Sequence, residues 1–373
     1  VQKIRPAISG IEVRTYVVPT DHPEGDGTMR WDATTAVVVH AYASDQTGMG
    51  WSYTDAAAAD VVRNLLAPAI VGTDARDTGR AASALARALR NAGAPGVAAC
   101  ALSAVDVALW DLRARLSGLS LVDAIGRVRD SAAVYGSGGF TTYDDARMAA
   151  QLRGWVEEAG VAAVKIKIGE EWGSRTQRDL ERVATARDVV GPTVRLMVDA
   201  NGAYTIGQAR RIERDLREFG VSWFEEPVTS DDPWGLARLR ASSVADIAAG
   251  EYVYRLSDAQ RLLEADAVDC LQLDVTRCGG VTGWLRAAAA AEAHQLTVSA
   301  HCAPQLAAHV SVCTVNARDI EYFHDHARLE PMLFDNTLEV TDGVLTPRTE
   351  VIGHGLSVSD AAAEFEVRSR TDG

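Results

Sequence analysis

Lysine is nearly missing from this sequence. Of its 37 basic residues only Lys3, Lys165 and Lys167 are lysines, and the rest are arginines. Cationic excess is missing too: the formal net charge is −14, which argues against a nucleic-acid partner, since such a binder needs a basic face. No run of about 18 uncharged apolar residues occurs, so no membrane span is expected. Val1 to Gly10 lacks the basic-then-apolar pattern of a secretory signal. The five cysteines (Cys100, Cys270, Cys278, Cys302 and Cys313) are odd in number and lack CxxC spacing. They read as reduced thiols of a cytoplasmic protein, mostly small core residues.

What is present supports a sizeable core. The chain has 373 residues, 47% apolar and 24% charged, enough for two or three domains or for one large barrel with a smaller unit. From residue 131 onward short apolar runs alternate with helical stretches. The strand-like runs are Ala132–Gly136, Val161–Ile168, Val194–Asp199, Val221–Glu225, Asp246–Glu251, Val268–Asp274, Leu296–His301 and Asp319–Phe323. Strands alternating with helices imply parallel βαβ units, and eight at this spacing fit a closed barrel. Residues 1–125 differ. Ile8–Val18 and Ala33–Ala43 alternate like antiparallel strands around a polar loop, Pro19–Asp32, and helices follow to Leu116. The expected organisation is an α+β domain over residues 1–125, a barrel over 126–337, and a segment 338–373 that packs back on the first domain.

In such a barrel, catalytic groups sit at the C-terminal ends of strands. Here the second to eighth strands end in Lys165-Ile166-Lys167, Asp199, Glu225, Glu251, Asp274, His301 and Glu321. One charged strand end merely starts a solvated loop. Seven in succession converge on one mouth. Asp199, Glu225 and Glu251 would repel one another unless they paired with arginines or a cation bound between them, and oxygen ligands suit Mg²⁺. Lys165 and Lys167 are two apart on a strand and share its inward face. A second ammonium and a metal would lower the pKa of either and make it a base. Asp274 can fix the tautomer of His301, leaving the other ring nitrogen to exchange protons. Glu321 is either a neutral acid that donates to developing charge or a group that orients a neighbour.

Other features are weaker. Gly279-Gly280-Val281-Thr282-Gly283 lacks the Walker lysine and the dinucleotide fingerprint and reads as a tight turn. Ser137, in a glycine-rich stretch after the first strand, is a candidate to touch substrate. His324 and His326 either line the mouth or are solvated. His301-Cys302-Ala303 is no nucleophile motif.

The chain resembles the enolase superfamily, and within it the mandelate racemase-like subgroup. The resemblance covers nearly the whole chain. It is carried by Lys-x-Lys at 165–167, by Asp199, Glu225 and Glu251, by the Asp274/His301 pair and Glu321, by Trp223-Phe224-Glu225-Glu226-Pro227, and by the glycine-rich run ending in Trp284. It implies an α/β fold: a modified (β/α)7β TIM-type barrel with an N-terminal α+β capping domain, often in homo-oligomers. It implies Mg²⁺ on Asp199, Glu225 and Glu251, and a small-molecule carboxylate substrate that loses its α-proton. By the match, Lys167 is the base on one face, and Lys165 holds the substrate carboxylate. His301 with Asp274 acts on the other face, Glu321 is a hydrogen-bonding carboxyl, and Asn201 lies near metal and substrate.

In this family the capping loops shape specificity. Here they are Pro19–Asp32 and a segment near Gly48–Tyr53. An aryl substrate would want an apolar cap, whereas the first loop carries His22, Asp26 and Arg30. His22, Arg30 and Trp51 are therefore candidate substrate contacts, and the expected reaction is dehydration of an acid sugar. A racemase or epimerase of a 2-hydroxy acid, and a cycloisomerase, are the alternatives. A silent binding protein would have no need of Lys167, Asp274 and His301 together.

Overall fold

The computed structural model describes residues 5–367. Lys3 and the last six residues of the expected C-terminal segment lie outside the described residues. Three antiparallel strands open the chain, β1 (Gly10–Gly25), β2 (Arg30–Ala43) and β3 (Gln46–Tyr53), in the order β1-β2-β3. Two expectations are corrected here. Pro19–Asp32 is mostly strand: pairing slips between Pro19 and Glu24, then resumes as Glu24 with Trp31 and Gly25 with Arg30. The hairpin thus projects well past its regular part, and only residues 26–29 turn. The segment Gly48–Tyr53 is strand β3 rather than a loop.

A 21-residue helix, Val97–Ser117, lies on this sheet. Glycine lets it come close: a Cβ on Gly48 would sit 2.2 Å from the Ala108 carbonyl oxygen, and one on Gly50 2.4 Å from that of Ala104. Valines and alanines of β2 fill the contact, with Val37, Val39 and Ala41 fully buried.

Eight parallel strands form the barrel: β4 (Ala132–Gly138), β5 (Ala163–Lys167), β6 (Arg195–Asp199), β7 (Val221–Glu225), β8 (Asp246–Ala249), β9 (Cys270–Leu273), β10 (Thr297–Ala300) and β11 (Ala317–Phe323). They pair in sequence order, and β11 pairs with β4 to close the ring. A helix follows each of the first seven, and His324–Leu333 follows the eighth. This is the architecture expected from the alternation. Tyr135, Ala163, Met197, Trp223, Ala248 and Cys270 form an apolar cluster inside the ring. Because side chains alternate across a strand, the next inward positions are Ser137, Lys165, Asp199, Glu225, Gln272 and Glu321.

The antiparallel unit and barrel are joined by buried polar contacts. Asp106 of the long helix accepts the Thr282 amide at 2.9 Å, and Trp110 Nε1 donates to Thr282 Oγ1 at 2.9 Å. The glycine-rich run is a tight turn into helix Gly280–Ala293: Gly279 and Gly280 have φ of +99° and +70°, and a Cβ on Gly280 would meet the Asp106 carboxylate at 2.5 Å. After the barrel the chain touches both units. Val344 and Leu345 pair with the start of β4, and His354 accepts no space of its own from solvent: its amide donates to Asp111 and its Nε2 lies 2.9 Å from the Met49 carbonyl. Among the described residues no helix is long and apolar enough to cross a membrane.

Candidate active site

Strand register brings the first groups together. Lys167 pairs with Asp199, and Asp199 with Glu225, on three neighbouring strands. Glu251 lies two residues past the end of β8. One carboxylate oxygen from each of Asp199, Glu225 and Glu251 lies within 4.8 Å of the others, and all three residues are buried. Glu225 Oε2 accepts Lys165 Nζ at 2.7 Å, Trp223 Nε1 at 2.9 Å and Gln272 Nε2 at 3.1 Å. Glu225 Oε1 and Glu251 Oε2 are buried without a partner. Unpaired buried oxygens are costly, and two of them facing a third carboxylate make the donor set of a hard divalent cation. Burial, and then Asp199, push the Glu225 carboxyl up to about 8. A cation between them would reverse that.

Without a cation, the carboxylates set the charge of both lysines. Lys165 Nζ lies 2.7 Å from both Glu225 Oε2 and Glu321 Oε1, and Lys167 Nζ bonds Asp199 Oδ2. Burial works against the Lys167 ammonium, but Asp199 outweighs it, so its pKa is raised rather than lowered. Lys165 is likewise raised, with Glu225 and Glu321 overcoming burial. Glu321 is correspondingly no neutral acid: burial opposes its charge, yet Lys165 holds its carboxyl below the usual range. It accepts Ser137 Oγ at 2.6 Å and so orients that hydroxyl.

Across the barrel, His301 Nδ1 lies 2.8 Å from Asp274 Oδ2, whose other oxygen accepts the Thr276 amide and hydroxyl, each at 2.7 Å. An ionised carboxylate only accepts, so Nδ1 carries the hydrogen. His301 Nε2 then faces Glu251 Oε2 at 3.5 Å and Cys302 Sγ at 3.3 Å. Burial opposes the imidazolium, but Glu251, Glu321 and Asp274 together raise the His301 pKa. Arg277 bonds Glu251 Oε1 at 3.0 Å and holds that carboxylate in place.

The remaining candidates divide. Asn201 adjoins the carboxylates, its amide donating to Asp199 Oδ1 at 2.8 Å, with its own Oδ1 buried and unpaired. It lines a cavity of about 500 Å³ with Thr28, Trp172, Glu226 and Tyr252. His22 and Arg30 are exposed on the projecting hairpin, and His22 stands edge-on to Tyr143. Asp26 closes the hairpin turn by accepting the Thr28 and Met29 amides. Trp51 is fully buried in the core between sheet and C-terminal segment, its ring 4.4 Å from that of Phe334. His326 is structural, stacked on Tyr53 and accepting the Ala303 amide, with burial lowering its pKa to about 4. His324 sits 3.3 Å from Asp21. The sequence reading did not single out Gln272, which donates to Glu225, or Tyr135, whose hydroxyl accepts Gln272 Nε2 at 3.1 Å. Each lies two residues before a named site residue on its strand, so inward parity alone would have found them.

Two family models cover most of the chain: the mandelate racemase/muconate lactonizing enzyme N-terminal domain over residues 24–126, and the enolase C-terminal domain-like family over 147–362. The chain belongs to the mandelate racemase/muconate lactonizing enzyme group of the enolase superfamily. Among its relatives is a D-galactarolactone cycloisomerase of Agrobacterium fabrum, 31% identical over 95% of this chain and 98% of that one. Another is the L-talarate/galactarate dehydratase of Salmonella typhimurium LT2, 30% identical over 85% of this chain and 79% of that one. The structure of that dehydratase with Mg and L-lyxarohydroxamate superposes with a TM-score of 0.89 at 25% identity, covering 98% of this chain and 94% of that chain. A mandelate racemase/muconate lactonizing enzyme-like protein from Rubrobacter xylanophilus is 45% identical, with a TM-score of 0.93 over 97% of this chain and 100% of that chain. Enolase-superfamily relatives of this chain are thus acid-sugar dehydratases and cycloisomerases.

Proposed function

We propose that this protein is a Mg²⁺-dependent dehydratase that converts an acid sugar, an aldonate or aldarate, to a 2-keto-3-deoxy acid. One observation carries the reading: Lys167 and the Asp274–His301 pair stand on opposite sides of a buried carboxylate triad with unpaired oxygens. Asp199, Glu225 and Glu251 would hold the ion, as their donor chemistry fits a hard cation and a relative's structure contains Mg. Bound there, Mg²⁺ would offset most of the charge of the three carboxylates and stabilise the negative charge that develops on the substrate carboxylate.

The chain's own residues do the rest. Asp199, if shared with the ion, would hold Lys167 less tightly, and Lys167 is the group that takes the α-proton at Nζ. Lys165, fixed by Glu225 and Glu321, directs an ammonium at the substrate carboxylate. His301 Nε2 gives its proton to the departing β-hydroxyl: the C–O bond breaks, water leaves, and the enol left behind becomes the ketone. Ser137, aligned by Glu321, and Asn201, with its unpaired Oδ1, would bond substrate oxygens. His22 and Arg30, on the exposed hairpin, are contacts for distal hydroxyls.

Cycloisomerisation is the second reading, favoured by the end-to-end similarity to the galactarolactone enzyme. Proton NMR in D₂O, with Mg²⁺ and a panel of acid sugars, their lactones and 2-hydroxy acids, separates the two. A 2-keto-3-deoxy product supports dehydration. Conversion of a lactone alone would establish the cycloisomerase, and α-deuteration with every hydroxyl retained would indicate an epimerase.

A further inference from the structure

We propose that His301, Cys302 and Glu321 form a second metal site, selective for a soft cation such as Zn²⁺, and that its occupation silences the face on which His301 works. The inhibitory half rests on the function proposed above; the binding half does not.

The three ligand atoms are already arranged close to three corners of a tetrahedron. His301 Nε2 lies 3.3 Å from Cys302 Sγ and 3.8 Å from Glu321 Oε2, and Sγ to Oε2 is 3.7 Å. Zinc bonded to sulfur at about 2.3 Å and to nitrogen and oxygen at about 2.0–2.2 Å sets such atoms roughly 3.4–3.6 Å apart. Small side-chain rotations close the difference.

The surrounding groups orient each ligand. Asp274 on Nδ1 directs Nε2 inward, the carboxylate–histidine arrangement that supports zinc-bound imidazole. Lys165 and Ser137 occupy Glu321 Oε1, which leaves Oε2 for the site. The Cys302 amide donates to that same Oε2 at 3.2 Å, and its φ of +49°, rare outside glycine, holds the thiol against the ring. Lys165 opposes a second cation. Loss of the thiol proton to solvent on binding supplies a compensating negative charge.

Sulfur decides the selectivity. Asp199, Glu225 and Glu251 offer oxygen alone and suit Mg²⁺, whereas a thiolate with imidazole prefers zinc. Zinc at this site would occupy the nitrogen that carries the proton for the leaving group.

The test is equilibrium dialysis of Zn²⁺ against the full chain saturated with Mg²⁺. One zinc per chain is expected beyond the magnesium. Cys302→Ser should weaken it by roughly 100-fold or more, since loss of an orienting neighbour alone costs 10–100-fold. Glu225→Gln, which damages the oxygen triad, should leave zinc bound. Co²⁺ in place of zinc should give a thiolate-to-metal charge-transfer absorption that Cys302→Ser abolishes. Inhibition of turnover by zinc should persist in excess Mg²⁺. Zinc that excess Mg²⁺ displaces, or that binds equally to Cys302→Ser, would overturn the site. Unaltered Mg²⁺ affinity certifies the variant's fold, and Cys302→Ala serves if Ser disturbs it. A chain that turns over no acid sugar yet binds zinc through Cys302 refutes the proposed reaction and leaves the site standing.

Discussion

Replacing Asp274 by Asn should separate the two faces of the site. The carboxylate has two distinct oxygens: Oδ1 takes the Thr276 amide and hydroxyl at 2.7 Å, and Oδ2 takes His301 Nδ1 at 2.8 Å. An amide has one acceptor. The Thr276 backbone N–H cannot rotate away, and Arg277 Nε pulls on the other side only from 3.3 Å. The amide oxygen therefore turns to Thr276, and its NH₂ faces Nδ1. Nδ1 must then accept, the ring hydrogen moves to Nε2, and the imidazolium loses its counter-charge. An orienting carboxylate changed in this way, with geometry intact, costs about ten-thousandfold in kcat, or about 5.4 kcal/mol. The assay follows 2-keto-3-deoxy product and α-deuterium together in D₂O. Dehydration should fall by about that factor with KM little changed, while exchange through Lys167 continues. Dehydration within tenfold of the parent enzyme would refute the assignment of His301 as the proton donor, and loss of exchange in step with dehydration would refute the division of labour.

Further outcomes follow from the geometry. Glu225→Gln should lose most of its Mg²⁺ affinity by calorimetry, because it removes the charge behind the unpaired Oε1; unaltered affinity would take Glu225 out of the triad. Gly50→Ala should lower the unfolding free energy by about 1–3 kcal/mol, since its Cβ meets the Ala104 carbonyl at 2.4 Å, whereas Gly79→Ala, with open space around it, should be neutral or stabilising in denaturant titration. Burial raises Asp106 from 3.8 to about 7. A raised folded-state pKa gives stability that is complete below about 3.8 and lost as pH climbs through about 7, so the thermal midpoint should fall over that range and then level. Asp106→Asn, which keeps an acceptor for Thr282, should flatten the profile relative to the parent protein.

The barrel and its ring of charge were legible because two periods coincide in it. Parallel strands covered on both faces read as short apolar runs, and the polar residue that ends each run marks the mouth. Lys165 and Lys167 declare their shared face by spacing alone. What escaped was charge state and docking. Glu321 could be read as a neutral acid until Lys165 appeared 2.7 Å away from a different strand, a contact that no local pattern encodes. Trp51 looked like a cap residue because aromatic side chains suit both cores and ligands; Phe334, 283 positions later, decides for the core. The hairpin was misread for a further reason. Thr20 to Gly25 is polar, as a loop should be, yet Glu24 is fully buried and accepts Trp31 Nε1 at 2.9 Å from the opposite strand. Gly27, at the tip, packs so close to β5's exit that a Cβ there would stand 2.5 Å from the Gly169 carbonyl. Polar strands seated on a barrel mouth look like loops from sequence, because the surface that buries them belongs to another part of the chain. The residues of the projecting hairpin are therefore the ones that local patterning reads least well, while the inward groups at the barrel mouth, fixed by strand parity, are the ones it reads best.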